Sequence, residues 1–572
     1  MFLRKANNKK TGRTYLSIVH GYHDPNSHSS RTKTIQSLGY LDELEKIYDD
    51  PIAHFSALAK EMEDERKKEN AAYSFSINKQ ELLPVGSDHV KNFGYAAASS
   101  IYHELGIHSF LKSRQRYTKN GFDSNIIMQM LVYSRMLFPA SKKSSYEKRG
   151  RFFEKTDYSL DDVYRYLTFL NKHKENLQLW LNDRINALYG RDTSLLYYDV
   201  TNYYFEIDEN DDLRKKGVCK EHRPNPIIQM GLFMDNNGLP VTYQLFEGNT
   251  NDCLTYRPNL SRIKKKFGLG RVITVADKGM TTGDNIWYTI TTPTHDGYVF
   301  SMSVRGAEKG IKKYVLDDTG YQWLGAEYKR KSRRCPRTIY VTTDSGGKMK
   351  KTVHEKQVVF YSEKYAKRAR AKREAALEKA RALAANPGSY TNATSYGAAK
   401  YIKKIEFDED TGEIREASSI LEIDMEKVKE EEALDGYYLI VSSEMAESDD
   451  RIIDMYRGLW RIEETFKVTK SELEARPVFV STREHIEAHF LTCFIALMLS
   501  RILEMKTEHR YSIGRLLDAM AQSNCTYLAE NLYLFGYHDE VLELIGEKTG
   551  IEFNHRILSL KEIKKILGDT KK

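Results

Sequence analysis

Three carboxylates stand where carboxylates are uncommon. Asp199 sits in the middle of LLYYDVTNYYFE (195–206), whose density of Leu, Tyr, Val and Phe predicts a buried or half-buried strand. Aspartate disfavours strands and is seldom buried without a partner. Asp277 closes a second, β-branched run, RVITVADKGM, at the carboxyl end of a strand, where α/β proteins place their sites. Glu463 lies in YRGLWRIEETFKVTK, seven residues after Tyr456 and seven before Lys470. At about 100° per residue these three fall within about 40° of one helix line, so one face carries a phenol, a carboxylate and a cation. A helix built only for packing would put an apolar stripe there. Hard divalent cations need several carboxylate oxygens at close quarters. Two such ions about 3.5–4 Å apart can activate an attacking oxygen and stabilise a leaving one in phosphoryl transfer.

Each residue alone has an ordinary reading. Asp199 could pair with an arginine, Asp277 could cap the turn before Lys278-Gly279, and Glu463 could be a surface glutamate. The order changes the weighing: strand-Asp, hairpin, helix, strand-Asp, insertion, helix-Glu. A zinc hydrolase is a competing reading, since His485 and His489 are four apart on an expected helix. Their string is H-I-E-A-H rather than H-E-x-x-H, so satisfied helix histidines are the better account. His222, in KEHRPNP, reads as a loop residue near DNA or substrate.

The remainder of the chain supplies the elements that must position these residues. Its 572 residues suggest three or four domains. Lys+Arg total 88 against 80 Asp+Glu, a net +8 that suits polyanion binding without requiring it. Cys219, Cys253, Cys335, Cys493 and Cys525 are scattered with no C-x-x-C, which suggests neither a disulfide framework nor a cysteine zinc site. MFLRKANNKKTGRTY does not read as a signal peptide, and the apolar run FLTCFIALML is about half a membrane span. The expectation is a cytoplasmic protein without a membrane association.

Residues 1–85 read as short strands and a charged helix. Residues 86–190 carry helical periodicity, interrupted by the basic, aromatic PASKKSSYEKRGRFF. From 191 to 304, hairpin-connected strands precede a βαβ pattern, with Asn-Gly turning the hairpin and Gly268 stopping a helix. Residues 305–447 read as an inserted β-rich domain with a basic helical arm, KYAKRARAKREAALEKARAL, a Pro-Gly break, an acidic hairpin around DEDTGE, and an acidic helix. Ser448 caps one long helix, DDRIIDMYRGLWRIEETFKVTKSEL, and a nearly apolar helix comes next within 448–505. Residues 506–572 read as helical, with no role assigned.

These motifs resemble a bacterial insertion-sequence DDE transposase with a ribonuclease H-like catalytic domain. The group carries a Y-x2-R-x3-E-x6-K helix signature, matched here by Tyr456, Glu463 and Lys470, with Leu459 at the arginine position. DVTNYYFE, the segment GVCKEHRPNPIIQMGLFMDNNGLPVTYQLFEGNTND, VADKGM, LWRIEETFK and RPVFV resemble family segments over roughly 195–500. The opening strands and SLGYLDEL resemble the same branch more loosely. The 186 residues between Asp277 and Glu463 agree with relatives that insert a β-rich domain.

The resemblance implies an α/β fold with a mixed sheet flanked by helices, and an enzyme that cleaves element ends and joins the 3′-hydroxyls to target DNA. It implies Mg²⁺, two ions with Mn²⁺ as substitute, held by Asp199, Asp277 and Glu463 as catalytic and metal-binding residues. It also implies terminal inverted repeats and target DNA as partners, and a homodimer on DNA. Tyr456 and Lys470 are expected at phosphates beside the scissile bond. On the helical wheel Lys467 shares their face and is expected to supply the charge missing at Leu459, whereas Arg461 points away. Lys367, Arg368, Arg370 and Lys372 of the basic helix are expected to contact DNA by charge; a solvated arm is the alternative. Terminal-repeat binding is expected in 86–190. The alternatives are a nuclease of the same fold that does not join ends, and a DNA-binding relative that has lost catalysis.

Overall fold

The computed structural model describes the chain except residues 8–11, 25–28, 70–79, 81, 119–120, 220, 222, 386–397 and 408–417. The chain divides into two compact units, Met1–Ser87 and Asp88–Lys572. His222, the Pro-Gly break and the DEDTGE turn lie outside the described residues.

In the first unit, strands Phe2–Asn7, Thr14–Asp24 and Ser29–Tyr40 form an antiparallel sheet, followed by helices Leu41–Leu44 and Pro51–Glu69. Its small core gathers Leu16, Leu44 and Phe55. The long helix buries Phe55 and Ala59 and leaves Lys60 and Glu61 exposed, where water solvates their charges.

The second unit is built around a nine-stranded mixed sheet. In spatial order its strands are Gln322–Trp323, Tyr328–Thr342, Lys348–Ser362, Tyr437–Ser442, Gly297–Met302, Ile273–Ala276, Leu195–Tyr204, Ile227–Asp235 and Pro240–Glu247. Ile273–Ala276 is parallel to both of its neighbours; the other pairings are antiparallel. Side chains alternate between two cores with the period of two that a strand imposes. Leu195, Tyr197 and Tyr203 face one core, Leu196, Tyr198 and Val200 the other. Helices Asp252–Phe267 and Gly283–Ile290 cover the second face through Tyr256, Leu260, Ile263 and Ile286. The helices Asp449–Arg457, Trp460–Ser471 and Arg483–Lys506 cover the first through Ile452, Leu459, Phe466 and Phe490.

Arg483–Lys506 is long and apolar enough to cross a membrane by composition, yet 94% of its most apolar window is buried inside the fold. It packs against the helices Tyr95–Glu104, Ser124–Leu137 and Leu160–Lys172, which consume its apolar surface from the side away from the sheet. Leu160–Lys172 starts in a capping box between Ser159 and Asp162.

Two regions differ from expectation. The strands expected to make an inserted domain extend the main sheet instead, because Lys348–Ser362 pairs with Tyr437–Ser442, itself paired with Gly297–Met302. The consecutive apolar residues Val358, Val359 and Phe360 explain this: a strand buried on both faces belongs inside a layered sheet. Beyond it come the helix Glu363–Ala385, the hairpin Ile402–Phe407 with Ser418–Ile423, and the helix Met425–Ala433; Leu377, Ala380, Tyr401 and Val428 form a small core of their own. The tail, expected as helical, contributes three strands to a four-stranded sheet ordered Ile557–Ser559, Leu532–Phe535, Asn524–Tyr527 and Val90–Asn92. It therefore closes onto the start of the same unit. Gly94 permits that closure, since a Cβ there would stand 2.0 Å from the Met520 carbonyl oxygen.

Candidate active site

Backbone register brings Asp199 and Asp277 together. The parallel ladder runs from Leu195 opposite Ile273 to Tyr198 opposite Ala276. Asp199 and Asp277 are each one residue further on, with Asp277 still extended at φ −73°, ψ 170°. Neighbouring strands lie about 4.8 Å apart. Both aspartates share the pleat side of Tyr197 and Val275, the side covered by the helices after Ser448. Asp199 is half-buried and its Oδ1 accepts from the Val200 amide at 2.7 Å. Asp277 is exposed; its Oδ1 accepts from the Lys278 amide at 2.6 Å and the Ser301 hydroxyl at 3.0 Å. Ser301 continues the next strand in the same register, one past Phe300 opposite Ala276.

The helix expected to run unbroken from Ser448 is interrupted. Asp449–Arg457 and Trp460–Ser471 are separate helices, joined where Leu459, Arg461 and Ile462 donate to carbonyls three residues back. Three residues per turn replace 3.6 there, which rotates the second helix relative to the first by about 60° over three residues. The tightening seats Gly458 on the sheet: a Cβ at that position would meet the Tyr197 hydroxyl at 1.9 Å. Leu459 is turned into the core at 5% exposure and does not occupy the active face, so the wheel drawn through one continuous helix needs this correction.

Glu463 and Lys467, one turn apart on the second helix, are both exposed. Tyr456 ends the first helix and lines a cleft of about 300 Å³ with Asp277, Lys278, Ser301, Arg305 and Tyr438. Burial pushes its phenol up to about 12, with the Ser301 hydroxyl opposing and the Asp277 and Glu463 carboxylates adding to the rise. Tyr456 is thus a protonated donor at neutral pH, within electrostatic reach of both carboxylates. Lys470 is half-buried, paired with Glu221 at 3.3 Å and lying 5.6 Å from the centre of the Tyr203 ring. Arg461 turns away and donates to the Asn236 carbonyl at 2.8 Å.

On the basic helix, Lys367, Arg368, Arg370 and Lys372 are all exposed. Arg368 and Lys372 line a second cleft with Lys278, Arg305 and Lys400, which shares Lys278, Arg305, Tyr365 and Tyr438 with the cleft at Asp277. Lys367 and Arg370 are not in that lining. Sequence reading missed Ser301, Arg305, Tyr365 and Tyr438, which come from separate segments and carry no local signal. His485 and His489 make no zinc site. His489 is buried, with Nε2 at the Ala475 carbonyl and Nδ1 near Lys142 Nζ; His485 lies at the Thr168 hydroxyl.

The side-chain donors that Asp199 and Asp277 offer are oxygens, the chemistry that suits hard divalent cations. Among the described residues no three His, Cys, Asp or Glu side chains converge closely enough to hold a metal. The aspartate pair is therefore the part of the set that the backbone brings together.

Comparison with known proteins bears on the same segments. The description "IS1634 family transposase, N-terminal domain" matches residues 3–73, and "Transposase DDE domain" matches 212–499. The second match contains Asp277 and Glu463 and begins after Asp199. No protein with a curated description matches. Among solved structures, a piggyBac transposase synaptic complex with hairpin DNA is 7% identical over 84% of this chain and 84% of that one, at a TM-score of 0.37. A Mos1 transposase paired-end complex with the left transposon end is 10% identical over 41% of this chain and 63% of that one, at a TM-score of 0.11. Likenesses that weak carry no argument, whereas the DDE-domain match spans half of the chain, and with the N-terminal match it shows that this protein belongs to the DDE transposases of bacterial insertion sequences.

Proposed function

We propose that the protein cleaves DNA at the ends of its insertion sequence and joins the freed 3′-hydroxyls to target DNA. The observation that carries this is the register placing Asp199 beside Asp277 on the sheet face covered by the Glu463 helix. A hairpin-linked antiparallel trio flanked by two parallel strands supports a ribonuclease H-like sheet. Asp199 and Asp277 would hold Mg²⁺, with Mn²⁺ as substitute, and Glu463, which does not converge with them in this structure, would close onto the metal when it binds; two such ions would supply Lewis-acid assistance to the attacking and leaving oxygens.

The chain's own residues do the positioning. Ser301 fixes one Asp277 oxygen and leaves the other directed by the strand. The Tyr456 phenol donates to a phosphate oxygen beside the scissile bond. Lys467 places a point charge one turn from Glu463, and Lys470 is oriented by Glu221. Two clefts that share Lys278 and Arg305, the second also lined by Arg368 and Lys372, form a basic path leading to Asp277, suited to a nucleic-acid backbone. Terminal-repeat recognition by residues 86–190, a homodimer on DNA, and action in the cytoplasm belong to the same reading.

The test is cleavage and joining on the terminal repeats of the encoding element with Mg²⁺. Wild type should cut and join, and Asp277→Ala should do neither while binding the ends with unchanged affinity. A pre-cut end separates the alternatives: a nuclease would cut intact ends and fail to join the pre-cut 3′-hydroxyl.

A further inference from the structure

The basic segment 139–153, which contains the helix Lys142–Glu147, and the RPVFV segment, far apart in sequence, meet in the fold, and the carboxylate site does not explain what they enclose. Arg135, Ala140, Lys142, Arg476, Phe479 and His489 line a cleft of about 150 Å³. Arg135 is 5% exposed and Lys142 4% exposed. The Arg135 guanidinium donates to the carbonyls of Leu473, Glu474 and Ala140 at 3.2, 3.0 and 2.8 Å, and its Nε–H has no partner. Lys142 Nζ lies 3.1 Å from His489 Nδ1. The His489 Nε2–H donates to the Ala475 carbonyl, so Nδ1 is the acceptor and two ammonium hydrogens of Lys142 remain.

Among the described residues no carboxylate pairs with Arg135 or Lys142. The one acid of the lining, Glu474, is exposed at the rim. Two basic groups are therefore buried side by side without an anion, an arrangement whose desolvation and mutual repulsion are relieved either by loss of the lysine proton or by a bound negative charge. Burial, and then the Arg135 charge, push the Lys142 ammonium down to about 7.

We propose that this cleft is a phosphate pocket that takes one backbone phosphate of the DNA, with the Lys142 ammonium and the Arg135 guanidinium as donors; this rests on the DNA-processing reading above. A phosphodiester carries a single charge and two free oxygens, which suit the two remaining ammonium hydrogens of Lys142 and the positive charge of Arg135. The pocket is connected to the carboxylate site. Lys470 lies seven residues beyond Glu463, about 10 Å by helical rise, and Glu221 bridges it to Arg476 at 3.3 and 2.5 Å. The exposed Phe479 at the mouth offers an apolar surface to the sugar. A strand lying on the Glu463 helix with its scissile bond at Asp277 would bring a phosphate a few nucleotides away over the cleft.

Lys142→Met keeps the straight stem and removes the charge. With duplex terminal-repeat DNA, its plot of log K against log salt should be shallower than wild type by about 0.9, the value for one phosphate. Single methylphosphonate substitutions walked along the backbone should weaken wild type about tenfold at each contacted phosphate, including one a few nucleotides from the scissile bond. Lys142→Met should be indifferent there. An unchanged slope with equal sensitivity at every position overturns the proposal and makes the cations purely structural. Should Lys142→Met fail to fold, the wild-type walk decides alone: a uniform profile overturns it. Inorganic phosphate at constant ionic strength distinguishes the source. If it raises the Tm of wild type while no methylphosphonate weakens binding, the pocket takes free phosphate and the DNA assignment falls. Asp277→Ala reads cleavage and Lys142→Met reads binding, so either proposal can fail without the other.

Discussion

The two polar corners of the second unit solve opposite problems. At the sheet end, Asp199 and Asp277 are like charges held by backbone register, and Asp277 and Glu463 keep access to water. Beneath the 472–482 segment, Arg135 and Lys142 are like charges of the other sign, held by side-chain bonds to carbonyls and a histidine, and shut away from water. Placement and solvation are therefore separate decisions. A carboxylate just past a strand end, like Asp277, stays exposed at little desolvation cost, whereas basic groups folded into a core must lose a proton or gain a counter-charge.

The sharpest way to break the comparison is at the carboxylate corner. Asp277→Ala should bring cleavage below detection with unchanged DNA affinity by gel shift; residual cutting would mean that register alone did not make the site. Gly458→Ala should come next, since its Cβ would meet the Tyr197 hydroxyl at 1.9 Å. Overpacking of that kind costs about 1–3 kcal/mol, measurable as a lowered urea midpoint, and Tyr197→Phe should relieve part of it. If Gly458→Ala is neutral, the tight turn is not what seats the Glu463 helix.

The cationic corner is tested through pH. Lys142 is held near 7 when folded, against about 10.4 in an unfolded chain. Between those values the unfolded chain binds more protons, so the contribution of this group makes stability rise with pH from about 7 to about 10. Denaturant midpoints of wild type minus Lys142→Met should show that rise; a flat difference would mean the ammonium is not desolvated. Lys467→Ala and Lys470→Ala should each slow end cleavage about tenfold, as removal of a charge-assisted bond to phosphate implies. Arg461→Ala should be milder, because its guanidinium faces Asn236. The smallest effect should come from the basic helix. Neutralising Arg368 and Lys372, which line the cleft, should flatten the salt dependence of binding by about 0.9 for each phosphate no longer neutralised. Neutralising Lys367 and Arg370 should change it less.

The two aspartate-bearing strands were legible, because strand period is a local rule, and the register of their ladder sets Asp199 beside Asp277. The 78 residues from Asp199 to Asp277 equal the offset of the parallel ladder, Leu195 to Ile273. What failed was the wheel across Gly458: a helix pattern says nothing of a turn tightened by a distant tyrosine hydroxyl. Ser301 and Tyr438 were invisible for the same reason, since nothing near them in sequence marks which cleft they will line.

By itself the sequence determined the family and many of the elements, though not the strands of the tail or the break at Gly458, since apolar periodicity, capping residues and motif spacing are short-range chemistry. The tertiary structure alone decided that the strands after residue 305 extend the main sheet, that the tail closes onto Val90–Asn92, and that Lys142 is buried beside Arg135 rather than solvated. Sheet order and burial depend on packing between residues hundreds of positions apart, and no local pattern of lysine and arginine records which of them will lose its water.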